Sequence, residues 1–204
     1  VEICWLAAII SIAGRINAMT NLPDYLTSVS HLEDVMTQPS QRLIDDLASI
    51  EGDIMILGVA GKMGLTLARM AKRAAPDKRV IGVARFSSPG GREALEAADV
   101  EAVTCDLIDR DQLAELEECR NVIFMAGRKF GAASDQPLTW AMNAHVPALV
   151  AERFCNSRII AFSTACVYAL SDVSGGGSLE SDALTPPGEY ANSCIGRERM
   201  FEYF

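Results

Sequence analysis

Three glycines stand at a spacing that suits chemistry. In GVAGKMG, Gly58, Gly61 and Gly64 lie between the apolar run DIMIL and the amphipathic run KMGLTLARMAKRA. Glycine at a strand-to-helix turn lets the backbone come close to a pyrophosphate. The start of the following helix, at Lys62, Met63 and Gly64, offers N–H groups and the positive end of a dipole. At the first crossover of the chain this triplet implies a bound dinucleotide; the alternative is a tight turn of structural value only. A second set lies in GEYANSCIGRERMFEYF, where Tyr190 and Cys194 are four residues apart. On a helix both side chains leave the same face. An unperturbed phenol titrates near about 10, so it is a ready proton donor and a poor base at neutral pH. A neutral thiol beside it adds no helpful field, and a thiolate would repel the phenolate. A nucleophilic role for Cys194 lacks a supporting histidine nearby.

The identity of the nucleotide should show at the end of the second strand. An acidic residue about twenty positions past the glycines would bond a free ribose 2′-OH. Here the sequence reads VARFSS, with Arg85 and no carboxylate, which favours NADP over NAD. Arg85 could instead stack on adenine or face water. Asp106, after the third strand in TCDLID, could accept from an adenine amino group with Leu107 packed nearby. Capping a helix is the competing role for that acid.

These groups need a scaffold. From residue 53 onward short β-rich runs (DIMILG, KRVIGVARF, VEAVTCD, NVIFMAG, RIIAFST) alternate with longer amphipathic ones. The latter are KMGLTLARMAKRAA, REALEAAD, DQLAELEEC and PLTWAMNAHVPALVAERF. Strands that are apolar throughout, separated by helices, predict an α/β fold with a doubly wound parallel sheet, Rossmann-like, its crossovers right-handed. Residues 53–204 are thus expected to form one NAD(P)-binding domain, and residues 1–52 a leader and helical extension. In that extension SHLE, Ser30 to Glu33, reads as a capping box, and PSQRLIDDLASI as a second helix. Ser171–Gly188 reads as a Gly/Ser-rich loop too long for a plain connector.

Composition narrows the partners. With 204 residues, half of them hydrophobic, the chain can bury a full core. A net charge of −9 speaks against nucleic acid, which demands clustered Lys and Arg. The apolar stretch in VEICWLAAIISIAGRINAM is too short for a membrane span and lacks a basic leader. Six scattered cysteines without a C-x-x-C pair point to reduced thiols in the cytoplasm. His31 and His145 have no companion ligands, so no metal site is expected.

The G-x-x-G-x-x-G spacing, CDL, MAG, FSTACVYA and the later tyrosine together resemble the extended short-chain dehydrogenase/reductase family, the NAD-dependent epimerases/dehydratases of nucleotide sugars. The resemblance runs from about residue 53 to 204. It implies that Tyr190, in the place of the tyrosine of Y-x-x-x-K, exchanges the substrate proton, with Thr164 orienting the substrate oxygen beside Ser163, Val167 and Tyr168. Met125, Ala126 and Gly127 would line the cofactor, and Asn143 would be part of that site or brace it; from local sequence alone Asn143 could equally cap a loop. Cys194 stands where the family keeps a lysine that lowers the phenol's pKa. Proton abstraction from an alcohol should suffer more than proton donation to a carbonyl. Arg197 or Lys129 could bring a replacement charge. The implied chemistry is hydride transfer at a hydroxyl or carbonyl carbon of a sugar-like substrate, possible homodimer formation included. The sequence stops inside a helix at RMFEYF, as a truncated one would, so the family's C-terminal substrate lobe is expected to be missing from it. A catalytically impaired NAD(P)-binding sensor or assembly protein is the alternative that Cys194 supports.

Overall fold

The computed structural model describes residues 22–204, so the reading of residues 1–18 as a leader lies outside the described part. Of the described residues, 22–105 and 119–125 form one compact unit and 106–118 and 126–204 another.

The first unit is built on β1 (Ile54–Leu57), β2 (Val80–Ala84), β3 (Glu101–Thr104) and β4 (Asn121–Phe124). All four residues of β1 are buried, as both-face coverage requires. Its central place explains this: Ile54 is in register with Val80 on one side and with Asn121 on the other, both pairings parallel. β3 pairs with β2 and is more exposed. Helix α1 (Val29–Met36), α2 (Gln41–Ser49), α3 (Gly64–Ala74) and α4 (Gly91–Glu96) belong to this unit. On α3 the small residues Gly64, Ala68 and Ala71 recur at helical spacing and are buried. Ala68 and Ala71 meet Ile54, Ile56, Val59, Val80, Leu95 and Val100 in one core cluster. Each large aliphatic side chain so buried contributes about 1.5–3 kcal/mol.

The expected capping box is displaced. Helix α1 begins two residues earlier than Ser30 to Glu33 predicts, because Ser28 takes the extended cap conformation and its hydroxyl accepts from the His31 N–H. The second expected helix forms as α2, with Ser40 as its cap accepting from the Leu43 N–H. Helix α1 is tied to α3. Arg69 pairs with Glu33 at 2.7 Å, and Arg73 donates to the Asp34 carbonyl, to Thr37 Oγ1 at 2.6 Å and to Gln38 Oε1.

The second unit contains α5 (Arg110–Glu115), α6 (Gln136–Trp140), α7 (Val146–Arg153), β5 (Arg158–Ala161) and α8 (Gly188–Tyr203). The predicted single helix over residues 137–154 is broken by a π-turn at Ala141–His145. Pro147 supplies the reason. It has no N–H for the Asn143 carbonyl and its ring crowds that oxygen, so the turn widens and Val146 N–H reaches back to Ala141 instead. Strand order in the five-stranded parallel sheet is β3-β2-β1-β4-β5, which is the doubly wound, Rossmann-like α/β arrangement that the alternation of runs predicts. Residues 171–187 contain no helix or strand and are largely exposed.

Candidate functional site

The glycine turn has the shape its sequence implies. Gly58 sits at φ 88°, a conformation that penalises any side chain. Its N–H and that of Val59 both bond the Val83 carbonyl. A β-carbon on Gly64 would lie 2.7 Å from Val59 Cα and 2.6 Å from its carbonyl carbon, so only glycine lets α3 start this close to the strand end. Helix α3 has no side-chain cap, which leaves its first turn as a donor surface suited to phosphate oxygens. Lys62 and Met63 precede the helix rather than opening it, and both are exposed. The residues fit a dinucleotide: a close-approach turn, an uncapped helix start and a cation beside them.

Arg85 lies exposed directly after β2. Phe86, next to it, takes φ 48° and lies under the Arg92 guanidinium at 5.1 Å from the ring centroid. Arg92 was not singled out from sequence. It donates to the Ala102 carbonyl and to Thr104 Oγ1, joining α4 to the end of β3. Met125 is part-buried against this unit's core, and its N–H bonds the Leu57 carbonyl.

In the second unit, Asp106 is not the helix cap. Asp109 caps α5 through the N–H groups of Asp111 and Gln112, and Asp106 Oδ1 accepts from Ile108. Leu107 is buried at 5 % exposure.

Helix α8 brings the reacting candidates together. Unlike an ordinary surface helix it buries Ser193, Cys194, Arg197 and Glu198 along with Ala191 and Phe201. Tyr190 is half-buried at the start of this stripe. Thr164 ends the segment after β5, caps a short 3₁₀ turn at Ala165–Val167 by accepting from the Cys166 N–H, and its side chain acts on the Tyr190 phenol. Burial raises the phenol's pKa, and the Cys194 sulfur raises it further. The Thr164 side chain and the positive charge of Arg197 pull it down, without cancelling the rise. Tyr190 is therefore a protonated phenol at neutral pH, competent as an acid.

Cys194 is fully buried with Val167 and Tyr168, and burial pushes its thiol pKa up. It is a neutral thiol beside the phenol. Of the two alternative cations, Lys129 lies over the tyrosine ring, its Nζ 5.9 Å from the centroid, and Arg197 acts on the phenol from the same helix through its charge.

Asn143, presented by the π-turn, has no exposed surface. Its Oδ1 accepts from the Arg128 N–H at 2.7 Å and from Arg197 Nη2 at 3.1 Å. Its Nδ2 donates to the Arg128 carbonyl and to Ser193 Oγ. All four positions of the amide are filled. Asn143 thereby ties the backbone at Arg128 to Ser193 and Arg197 of α8. Ala126 and Gly127 precede the backbone it holds, and Gly127 is exposed. A β-carbon on Gly127 would clash with Arg197 Nη2 and lie 3.1 Å from Asn143 Oδ1.

Ser193 and Glu198 escaped the sequence reading. Glu198 is 2 % exposed; Oε1 accepts from Ser163 Oγ, and Oε2 is buried without a partner. Burial raises its pKa, the Ser163 bond opposing. Their spacing relative to Ala191, Cys194 and Phe201 was the available signal, since it sets them on the inward stripe.

Among the described residues no group of three or more His, Cys, Asp or Glu could hold a metal ion. Nor is any described helix long and apolar enough to cross a membrane. Cys155, Cys166 and Cys194 are free thiols.

Several solved structures share the fold. ADP-L-glycero-D-manno-heptose-6-epimerase from Helicobacter pylori aligns at 20% identity and TM-score 0.68, over 80% of this chain and 54% of that one. UDP-glucuronic acid 4-epimerase from Bacillus cereus in complex with NAD aligns at 20% identity and TM-score 0.58, over 74% and 52%. The Bordetella bronchiseptica enzyme WbmG in complex with NAD and UDP aligns at 19% identity and TM-score 0.62, over 75% and 50%. The chain spans about half the length of each. No curated protein matches it. The family model described as NAD dependent epimerase/dehydratase matches residues 54–204. With the glycine turn, the tyrosine and the parallel sheet on one continuous match, the chain belongs to the NAD dependent epimerase/dehydratase family.

Proposed function

We propose that this chain binds NAD(P) at the Gly58–Gly64 turn and performs hydride transfer at a hydroxyl or carbonyl carbon of a sugar-like, nucleotide-linked substrate. The carrying observation is the Tyr190 phenol, half-buried at the start of the inward stripe of α8, with Thr164 acting on it. When bound, the dinucleotide supplies the hydride acceptor or donor. The chain's own residues hold the phosphates, orient the substrate oxygen through Thr164 and exchange a proton at the Tyr190 hydroxyl. Because the phenol stays protonated, donation to a carbonyl oxygen is the favoured direction. Arg85, exposed after β2 in the run VARFSS, which contains no acidic residue, suits a 2′-phosphate, so NADP is preferred over NAD. The free cysteines suit a reducing, cytoplasmic setting.

A second reading has its own support. The buried thiol of Cys194 supplies no positive charge to the phenol, and any charge it takes on opposes the phenolate, which suits a coenzyme-binding sensor or assembly protein with little turnover. Calorimetry with NADH and NADPH, followed by absorbance assays on nucleotide-sugar substrates, separates the two. Turnover that vanishes in Tyr190→Phe supports the enzyme. Binding without turnover, unchanged by Cys194→Lys, supports the sensor, and no binding of either coenzyme removes both.

A further inference from the structure

A phenol that must exchange protons in a half-buried place needs a fixed positive charge nearby, and Cys194 cannot provide one. Residues 190, 194 and 197 lie at i, i+4 and i+7 of α8, so one helix face carries all three. Arg197 is 7 % exposed. Nη1 donates to the Phe162 carbonyl at 2.8 Å, at the end of the segment that leads into Ser163 and Thr164. Nη2 donates to Asn143 Oδ1. The guanidinium fills space that any side chain at residue 127 would take. Arginine keeps its proton even when buried, so the charge is permanent.

We propose that Arg197 is the positioning cation of this site: clamped by Phe162 and Asn143 beside Gly127, it holds a fixed positive charge toward the Tyr190 phenol in the role that Cys194 cannot fill. This rests on the reading of Tyr190 as the proton-exchanging group. The other charged or titratable groups around the pair are Cys194 and Glu198 on α8, Cys166 in the 3₁₀ turn, and Lys129 over the tyrosine ring. Lys129 is exposed, so water and salt screen it; Arg197 is not screened in this way. The clamp makes the charge directional. One guanidinium also fixes the backbone that carries Thr164, so the hydroxyl and the field on the phenol arrive together.

The test is a phenolate absorbance titration of the full chain without substrate, with Tyr190→Phe as the reference that isolates one tyrosine. Arg197→Gln, which can still donate to the Phe162 carbonyl, should move the Tyr190 titration measurably up. Arg197→Lys should leave it near the wild-type position. Adding Cys194→Lys to Arg197→Gln should return it toward wild type, a rescue that a merely structural role does not give. If Arg197→Gln fails to fold, Gly127→Ala, which displaces the guanidinium without deleting it, is titrated instead and the same upward shift is expected. A titration unmoved by either variant, or moved as far by Lys129→Met, overturns the proposal. Since no substrate enters the measurement, a shift without turnover would refute only the enzymatic reading. Turnover without a shift would refute only the role of Arg197.

Discussion

Gly127 and Arg197 occupy one slot: a β-carbon at residue 127 would run into the guanidinium that Asn143 and Phe162 hold in place. The obstacle is the far end of a side chain, so the backbone can stay where it is. Gly127→Ala should fold, lose about 1–3 kcal/mol of stability to overpacking, and lose proton-transfer rate more than coenzyme affinity. Thermal unfolding beside calorimetry and turnover checks this. Equal loss of binding and rate would contradict it.

At the glycine turn the obstacle is backbone. Gly64→Ala would press against Val59 Cα and carbonyl carbon, so strand end and helix must part. Coenzyme binding should fall by at least about tenfold, together with a stability loss of about 1–3 kcal/mol. Gly58→Ala, at φ 88°, should cost about 1–2 kcal/mol for the left-handed backbone alone. Denaturant unfolding and calorimetry measure both. A Gly64→Ala chain with wild-type binding would show that the turn does not hold the dinucleotide.

Thiol labelling should sort the cysteines by burial. Cys155 and Cys166 are exposed, whereas Cys194 is wholly buried with its pKa raised by that burial. Cys194 should react about a hundredfold more slowly or less, the factor that local opening of about 3 kcal/mol produces. Mass spectrometry after timed alkylation reads it out. Fast labelling of Cys194 would place its sulfur at the surface.

Glu198 should leave a mark on the pH dependence of stability. Its folded pKa is raised, chiefly by burial. The protonated form is therefore the one that folding favours, and its stability contribution is complete below the unfolded value of about 4.3. It is lost as pH rises through the folded value. Glu198→Gln cannot ionise, so its Tm relative to wild type should climb across that window. Parallel Tm curves for the two chains would show no raised pKa.

Sequence patterning revealed the sheet because β1 is apolar at every position and each strand is followed by a helix with a distinct inward stripe. Gly58 and Gly64 were legible for a similar reason: a strand-to-helix turn leaves few solutions, and each needs glycine at fixed places. Helix α8 was harder. Arg197 and Glu198 look like surface charges until Ala191, Cys194 and Phe201 reveal which side faces inward. The π-turn hid behind an unbroken amphipathic run, although Pro147 marked where a regular helix could not continue. Asn143 could be placed near the site from its motif. Its saturation by Arg128, Ser193 and Arg197 depends on partners up to fifty-four positions away, and no local rule contains them.

The grip of Arg73 on Asp34, Thr37 and Gln38 has a practical side. All three acceptors come before residue 54, where kinship with the family begins. Trimming a recombinant version to that ancestral border would strip α3 of its clasp and hand a satisfied guanidinium back to water. Shared descent and mechanical cohesion draw different frontiers through this chain, and a shortened variant should respect the second.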